Sequence, residues 1–428
     1  MTAAAARGPG DRPMRVLLAH AYLAANGGAE TVARAFETAL RARGVAVGVV
    51  DVAGHVTPEG KHSPLPLAGL VPRRMGLVNW AVTCRHVPAL ARDYDAVLYM
   101  FGEGPRLDRP TLVFRHAPVV FAQSRPLVEA LAGQSGAPFA IRKLYGRLGA
   151  AIARLGRPDP DAFTVANSRW TAGHVETGTG ITVDRILYPA IDLDPATAAP
   201  MTGEGASART PDRLVMLGRI VPNKRIHEVI ALVAGLQAKR PGLRLDVIGR
   251  ASRKYARDLI ARHAGDAVVR FHPDADDAAR GAILAATPVG VHAYRAEHFG
   301  IAVAEMIHAG VLPLVYDNGG VCELVPFPDQ RFDDDASLWA RIEAWLSADG
   351  AVRARRIESL RQAPAYLAAC EFADRLEGIL GEFLAYCDRW HAAGPAAAKR
   401  ALSAVPAAPT APAVLPASAP APAPAHKE

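Results

Sequence analysis

The stretch RLVMLGRIVPNKRIHEVIALVAGLQAKRPGLRLDVIG, residues 213–249, decides the fold class. RLVMLGR is a short apolar run that reads as a strand. HEVIALVAGLQAKR then spaces its apolar residues as an amphipathic helix does, and LRLDVIG returns to a strand. Strand, helix and strand in that order build a parallel sheet covered by helices. The alternation continues downstream through helix RKYARDLIARHAG, strands AVVRFHP and TPVGVHAY, helix GIAVAEMIHAG and strand VLPLVYD. Upstream, MRVLLAHA reads as a strand and AETVARAFETALRARG as a helix stopped by Gly44. AVGVVDVA, YDAVLYMF, TLVFRHA and AFTVANS read as further strands.

The chain therefore reads as α/β, with two Rossmann-like domains in tandem and a cleft between them as the default binding site. The first is expected over residues 14–195 and the second over 211–370. Between them ATAAPMTGEGASARTPD, residues 196–212, is small, polar and Pro/Gly-bearing, as a linker is. A helix is expected over 371–393. Residues 394–428, an Ala/Pro-rich stretch that cannot bury a core, are expected to be a disordered tail.

Composition narrows the function. The 428 residues are 50% hydrophobic, with no continuous apolar run of membrane-spanning length. The start of the chain lacks the apolar core of a secretory signal, and the four cysteines form no C-x-x-C pair. A cytoplasmic protein with reduced thiols is expected. A net charge of +7, concentrated between Lys61 and Arg157, suits an anionic partner. With no basic stripe interleaved with aromatics and no zinc-finger, RRM or KH signature, nucleic acid is not the expected partner.

Glu297 to Gly310 reads EHFGIAVAEMIHAG. Phe299, Gly300 and Ile301 fall at the start of the helix, where free backbone N–H groups and the helix dipole form an anion site. Glu297 precedes that start. Glu305 lies roughly 6 to 8 Å further along the axis at about 1.5 Å per residue, so the two carboxylates do not share one target atom. A ligand with hydroxyls at both ends and a diphosphate between them, such as a nucleotide diphosphate sugar, fits that spacing. Two glutamates flanking a helix start are also ordinary, one favouring the dipole and one facing solvent. Glu305, however, sits in IAVAEMI, apolar enough to be largely buried, and a buried carboxylate needs a hydroxyl or a cation.

Arg219 and Lys224 follow the second domain's first strand, at the end where open α/β sheets bind ligands, and suit a diphosphate leaving group. Arg225 reads as a solvated surface residue. In the first domain, Gly27 and Gly28 lie between strand and helix, with Asn26 before them and Glu30 after. They either admit a phosphate or sugar to the backbone or make a structural turn; the motif is neither the dinucleotide fingerprint nor a P-loop. His116 and His20 end strands and are either structural or hydrogen-bonded to a sugar hydroxyl. His292 and His298 lack a third ligand at suitable spacing, and no metal is expected.

Taken together, NGGAE, VANSRWTAGHV, ILYPAIDLD, LGRIVPNKRIHEVI and the E-x7-E motif EHFGIAVAE, followed by a second NGG, resemble retaining glycosyltransferase family 4 with the GT-B fold. They span Met14 to about Val325. AHAYLAANGGAE and RHAP are most similar to the branch whose eukaryotic members extend the dolichol-linked core oligosaccharide from GDP-mannose. Two features depart from that branch: the first-domain Gly loop is shorter, and no membrane-spanning anchor is expected before it.

The resemblance implies an enzyme that moves a hexose, mannose for this branch, from a nucleotide-sugar donor to a saccharide or lipid-linked saccharide acceptor. It implies retention of configuration and no metal or other cofactor. Arg219 and Lys224 would hold the diphosphate, Glu305 the ribose, and Glu297 and His116 would lie near the donor sugar, with Gly27 and Gly28 beside the reaction centre. The helix near the chain end would return to the first domain. A non-catalytic nucleotide-sugar-binding subunit of a polysaccharide assembly complex is the alternative. Finally, IRKLYGRLGAAIARLGR puts Ile141, Leu144, Tyr145, Leu148, Ile152 and Leu155 on one helical face with basic residues elsewhere, and VPRRMGLVNWAVTCRHV offers a second such surface. Either packs on its own sheet or lies peripherally on an anionic membrane, which here would be the inner face of the cell membrane.

Overall fold

The computed structural model describes residues 12–25, 27–66, 76–118, 139–191 and 209–403. They form two compact units, one holding the described residues up to 190 and those from Glu371 onward, the other holding Ile191–Cys370.

In the first unit, β1 (Arg15–Ala19), β2 (Ala46–Asp51), β3 (Gly54–Val56), β4 (His62–Ser63), β5 (Ala96–Tyr99), β6 (Thr111–Arg115), β7 (Phe163–Ala166) and β8 (Arg185–Ile186) make one sheet in the order β4-β3-β2-β1-β5-β6-β7-β8. Only the β2–β3 and β3–β4 pairs are antiparallel. The helices are α1 (Gly28–Ala42), α2 (Gly76–Leu90), α3 (Phe139–Ile152) and α4 (Arg169–Thr179). Alternation along β1 explains why its run after Arg15, Val16 to Ala19, is wholly apolar. Val16 and Leu18 pack with Phe36 and Leu40 of α1 on one face, while Leu17 and Ala19 pack with Trp80 and Cys84 of α2 on the other. Past the end of α1, Gly44 sits at φ 77°, a left-handed conformation that costs glycine nothing.

The second unit has a six-stranded sheet: β9 (Arg213–Leu217), β10 (Arg244–Gly249), β11 (Val269–Pro273), β12 (Val289–His292), β13 (Leu312–Tyr316) and β14 (Arg331–Phe332), in the order β11-β10-β9-β12-β13-β14. Every pair is parallel. Its helices are α5 (Ile226–Leu236), α6 (Lys254–Arg262), α7 (Asp277–Ala286), α8 (Ile301–His308), α9 (Val321–Leu324), α10 (Asp335–Ser347), α11 (Gly350–Arg361) and α12 (Pro364–Cys370). β9 is flanked by β10, the next strand in sequence, and by β12, so the order of the sheet reverses there. Such a reversal opens a crevice at the carboxyl ends of the strands.

The described residues end with α13 (Phe372–Ala393) and α14 (Pro395–Ser403). Leu376, Leu380, Phe383 and Cys387 of α13 are buried in the first unit's core. α14 corrects the expectation of disorder from residue 394. Ala-rich PAAAKRALS forms a helix with Pro395 at its start, where a missing N–H costs nothing. Ala398 and Leu402 are buried in the same core, and Lys399 Nζ donates to Asp184 Oδ2 at 2.6 Å and to the Ala162 carbonyl at 2.8 Å. The rest of the expected tail, and residues 196–208 of the expected linker, lie outside the described residues.

The two amphipathic surfaces differ. α2 is largely buried, from Asn79 to Cys84 and at Val87, so it packs on its own sheet. Residues 71–75 before it lie outside the described residues, as do the side chains of Ile141 and Tyr145 in α3. Leu144 and Leu148 of α3 are 68% and 56% exposed, whereas Ile152 and Leu155 pack against the core. The expected single apolar face is thus split between two exposed leucines and two residues packed against the core. No helix among the described residues is long and apolar enough to cross a membrane.

Candidate functional site

The site in the second unit lies at the carboxyl ends of β9 and β12, which hydrogen-bond side by side where the sheet order reverses. After β9 the chain passes Gly218 and Arg219 into a short 3-10 turn, Pro222–Lys224. β12 ends at His292, and the following loop carries Tyr294 and Glu297 into α8. These two segments bring Lys224 and Glu297 together across 73 residues of sequence.

Glu297 Oε2 accepts two hydrogen bonds, from Lys224 Nζ at 2.7 Å and from His292 Nε2 at 2.9 Å. Lys224 Nζ also stands 5.0 Å above the Tyr294 ring. The ion pair is partly open, with side chains 16% and 17% exposed, while His292 is 2% exposed. Burial disfavours the Glu297 carboxylate, but the Lys224 ammonium and the His292 hydrogen bond outweigh it and hold its pKa well below the usual carboxylate range. Burial and the positive charge of Lys224 push His292 down, against the pull of Glu297. At neutral pH the cluster is therefore one cation, one anion and one neutral imidazole.

Two glycines seat Glu297. Gly319 bridges it backbone to backbone, and Gly320 N–H donates to its carbonyl at 2.7 Å. A Cβ on Gly319, whose φ is 120°, would lie 2.4 Å from that carbonyl oxygen, so no larger residue fits. Gly300 caps α8 at φ 104°, where a Cβ would meet Val321 Cγ2 at 2.9 Å. Ile301 begins the helix and Phe299 is buried beside its start.

Glu305 lies on the fifth residue of α8, 3.9 Å from Arg280 Nη1 of α7, with a side chain 20% exposed. It is thus half-buried beside a cation that the sequence pattern did not single out. Arg219 is exposed, and together with Gly218, Lys224 and His292 it lines one small cavity. Arg225 is no solvated surface residue: it is in the left-handed region at φ 56°, ion-paired to Glu228 and stacked 6.0 Å from the Tyr316 ring. The sequence pattern offers His292 only as half of a metal pair with His298. Its real neighbour is the carboxylate five residues on.

In the first unit, Gly28 opens α1 and Gly27 caps it in an extended conformation. A Cβ on Gly27 would meet Glu30 Oε2 at 2.6 Å. Asn26 is outside the described residues. His116 follows β6, its ring 4.5 Å from Phe114 and its carbonyl accepting from Asn167 Nδ2 at 2.9 Å. His20 is fully buried after β1, with Nδ1 accepting from the Tyr22 N–H at 3.2 Å. Among the described residues no group of three or more His, Cys, Asp or Glu side chains is arranged to hold a metal ion.

Comparison with known proteins gives a family match in the second unit and relatives that cover more of the chain. Residues 203–347 match the family model Glycosyl transferases group 1. The GDP-Man:Man(3)GlcNAc(2)-PP-Dol alpha-1,2-mannosyltransferase of Yarrowia lipolytica is 27% identical over 257 residues, covering 54% of this chain and 39% of its own length. The protein of the same name from Neurospora crassa is 26% identical over 255 residues, covering 50% of this chain and 45% of its own. The chain thus spans less than half the length of these relatives. Among solved structures, WaaG, a glycosyltransferase involved in lipopolysaccharide biosynthesis, superposes with a TM-score of 0.60 over 85% of this chain and 100% of its own at 17% identity, a likeness of fold. The segment that holds Lys224, His292, Glu297 and Glu305 thus falls inside the match to the glycosyl transferases group 1 model, in a chain with the fold of the GT-B glycosyltransferases.

Proposed function

We propose that this protein is a retaining glycosyltransferase that moves a hexose, mannose from GDP-mannose, to a saccharide or lipid-linked saccharide. The observation that carries the reading is the Lys224–Glu297–His292 cluster at the sheet's reversal point, beside the N–H groups that open α8. The names of the Yarrowia and Neurospora relatives support GDP-mannose as donor and a lipid-linked oligosaccharide as acceptor.

On this reading Arg219, Lys224 and the helix start at Gly300 and Ile301 hold the donor diphosphate, with Phe299 shielding that start. Glu305 accepts from the ribose hydroxyls and Glu297 from a sugar hydroxyl. His116, Gly27 and Gly28 serve the sugar and acceptor from the first unit. The bond from the anomeric carbon to the β-phosphate oxygen breaks, its electron pair leaving on the diphosphate. The acceptor oxygen bonds to the same face of that carbon, and its proton passes to the departing phosphate oxygen. The protein's main contribution is charge stabilisation of the leaving group, so no metal or other cofactor is required.

The protein acts in the cytoplasm, peripherally at the inner face of the cell membrane. Leu144 and Leu148, exposed one turn apart on either side of exposed Arg147, support docking on an anionic bilayer, where two buried leucines add about 1.5–3 kcal/mol each. The deciding experiment is a thermal-shift series with GDP, UDP, ADP and their sugar conjugates, followed by transfer from any stabilising donor to lipid-linked and free saccharides. Stabilisation by GDP-mannose that disappears in Glu305→Ala and Lys224→Ala, together with acceptor-dependent release of GDP, is the expected result. No response to any nucleotide would remove the reading.

A further inference from the structure

The cluster presents a conflict that the proposed chemistry does not resolve. Lys224 Nζ is already bonded to Glu297 at 2.7 Å, yet on the reading above it must also bind the donor diphosphate. If it turned to the phosphate and Glu297 had no other donor, an ionised and largely enclosed carboxylate would be left uncompensated, at a cost that opposes the turn.

His292 is the group that removes the conflict. Its Nε2 lies 2.9 Å from the same oxygen that Lys224 bonds, so one carboxylate oxygen takes a fixed donor and a transferable one. The two donors differ in freedom. His292 ends β12 at 2% exposure, held in register with β13, while Lys224 carries a long side chain from a short turn and lines the small cavity beside Arg219. The peptide backbone of Glu297 is held separately by Gly319 and Gly320, so the imidazole governs the carboxylate rather than the loop. Burial keeps that imidazole neutral, a donor that adds no second cation.

We propose that His292 is a positioning residue that holds the Glu297 carboxylate in place and so releases Lys224 to the diphosphate of a nucleotide-sugar donor. The inference rests on the transferase reading of this domain. It assigns His292 an effect on nucleotide affinity through Lys224, which a residue that merely fills the end of β12 would not have.

The test titrates GDP and UDP into the full chain by calorimetry, with His292→Phe, His292→Gln, Lys224→Met and the double variant His292→Phe/Lys224→Met, each checked by its melting curve. His292→Phe fills the ring's space without a donor and is expected to weaken nucleoside diphosphate binding about tenfold or more. His292→Gln, which keeps an N–H donor, is expected to recover most of the loss. In the Lys224→Met background the Phe substitution is expected to add almost nothing, because the residue it acts through is gone.

Wild-type affinity in His292→Phe overturns the inference and leaves the transferase reading standing. So does an equal loss in both backgrounds, which would mark a general structural effect. If the wild type binds neither nucleotide, reading and inference fall together. Should His292→Phe not fold, His292→Leu replaces it under the same criteria.

Discussion

The two sheets reverse their strand order at equivalent places, and each puts a histidine there, but the two surroundings are chemically opposite. In the first unit His20 follows β1, fully buried, its ring meeting the edge of Phe101 and its Nε2 finding no hydrogen-bond partner among the described residues. The nearby carboxyl strand ends hold a sealed ion pair, Arg115 to Glu103 at 2.6 Å with side chains 3% and 11% exposed, and Trp80 Nε1 pins the Glu103 carbonyl at 2.8 Å. In the second unit His292 meets a carboxylate, and that carboxylate meets a lysine still reachable from solvent. A sealed pair can only be kept or broken, so its chemistry appears as stability. A half-open pair can exchange a partner for a ligand, so its chemistry appears as binding.

The sharpest way to break this contrast is Arg115→Met. It removes the buried cation paired to Glu103 and is expected to cost about 3–5 kcal/mol, read as a fall in the first unit's melting transition. An unchanged melt would mean the pair is not sealed at all. Lys224→Met should act mainly on activity, lowering the transfer rate on the order of 10² to 10³, with a smaller loss of stability than Arg115→Met because the Glu297 carboxylate keeps its hydrogen bond from His292. A large loss of stability there would erase the distinction between the pairs.

The histidines sharpen it further. Burial pushes the His20 pKa down to about 4, against about 6.5 for an unfolded chain. A folded-state pKa below the unfolded one means the unfolded chain binds the extra proton first. Stability should therefore fall as pH drops from about 6.5 to about 4, by up to about 3 kcal/mol, and be unaffected by this group above that window. Comparing denaturation midpoints of wild type and His20→Gln across pH isolates the contribution; parallel curves would show that His20 does not titrate this way. The smallest effect expected is from ending the chain at Gly394, which removes Ala398, Leu402 and the Lys399–Asp184 pair from the first unit. A loss of about 1–3 kcal/mol, with nucleotide binding in the second unit unaltered, is expected from the apolar burial. Altered binding would show that the two units are energetically coupled.

Much of this architecture could be read from pattern. RLVMLGR, LRLDVIG and VLPLVYD each contain the strand they announced, and GIAVAEMIHAG contains α8 between its glycines. Short buried strands announce themselves because both faces of a covered sheet demand apolar residues. α14 was missed because its Ala-rich segment has low hydropathic contrast and becomes stable only where Ala398 and Leu402 find the core. Arg225 was misjudged because charge type says nothing of a left-handed backbone beside Glu228 and Tyr316. The cations and carboxylates of the candidate site could be named from motif spacing; Arg280 beside Glu305 and His292 beside Glu297 could not.

By itself, the order of residues determined that this chain alternates strands and helices twice over, that its apolar runs are strands covered on both faces, and that Glu297 precedes and Glu305 rides on one helix. Those properties follow from periodicity, which acts over a few residues. Only the tertiary structure decided that Lys224 and His292 share one oxygen of Glu297. That meeting depends on β12 pairing with β9 at the reversal of the sheet, a choice made by packing between segments far apart in the chain. Local periodicity carries no record of it.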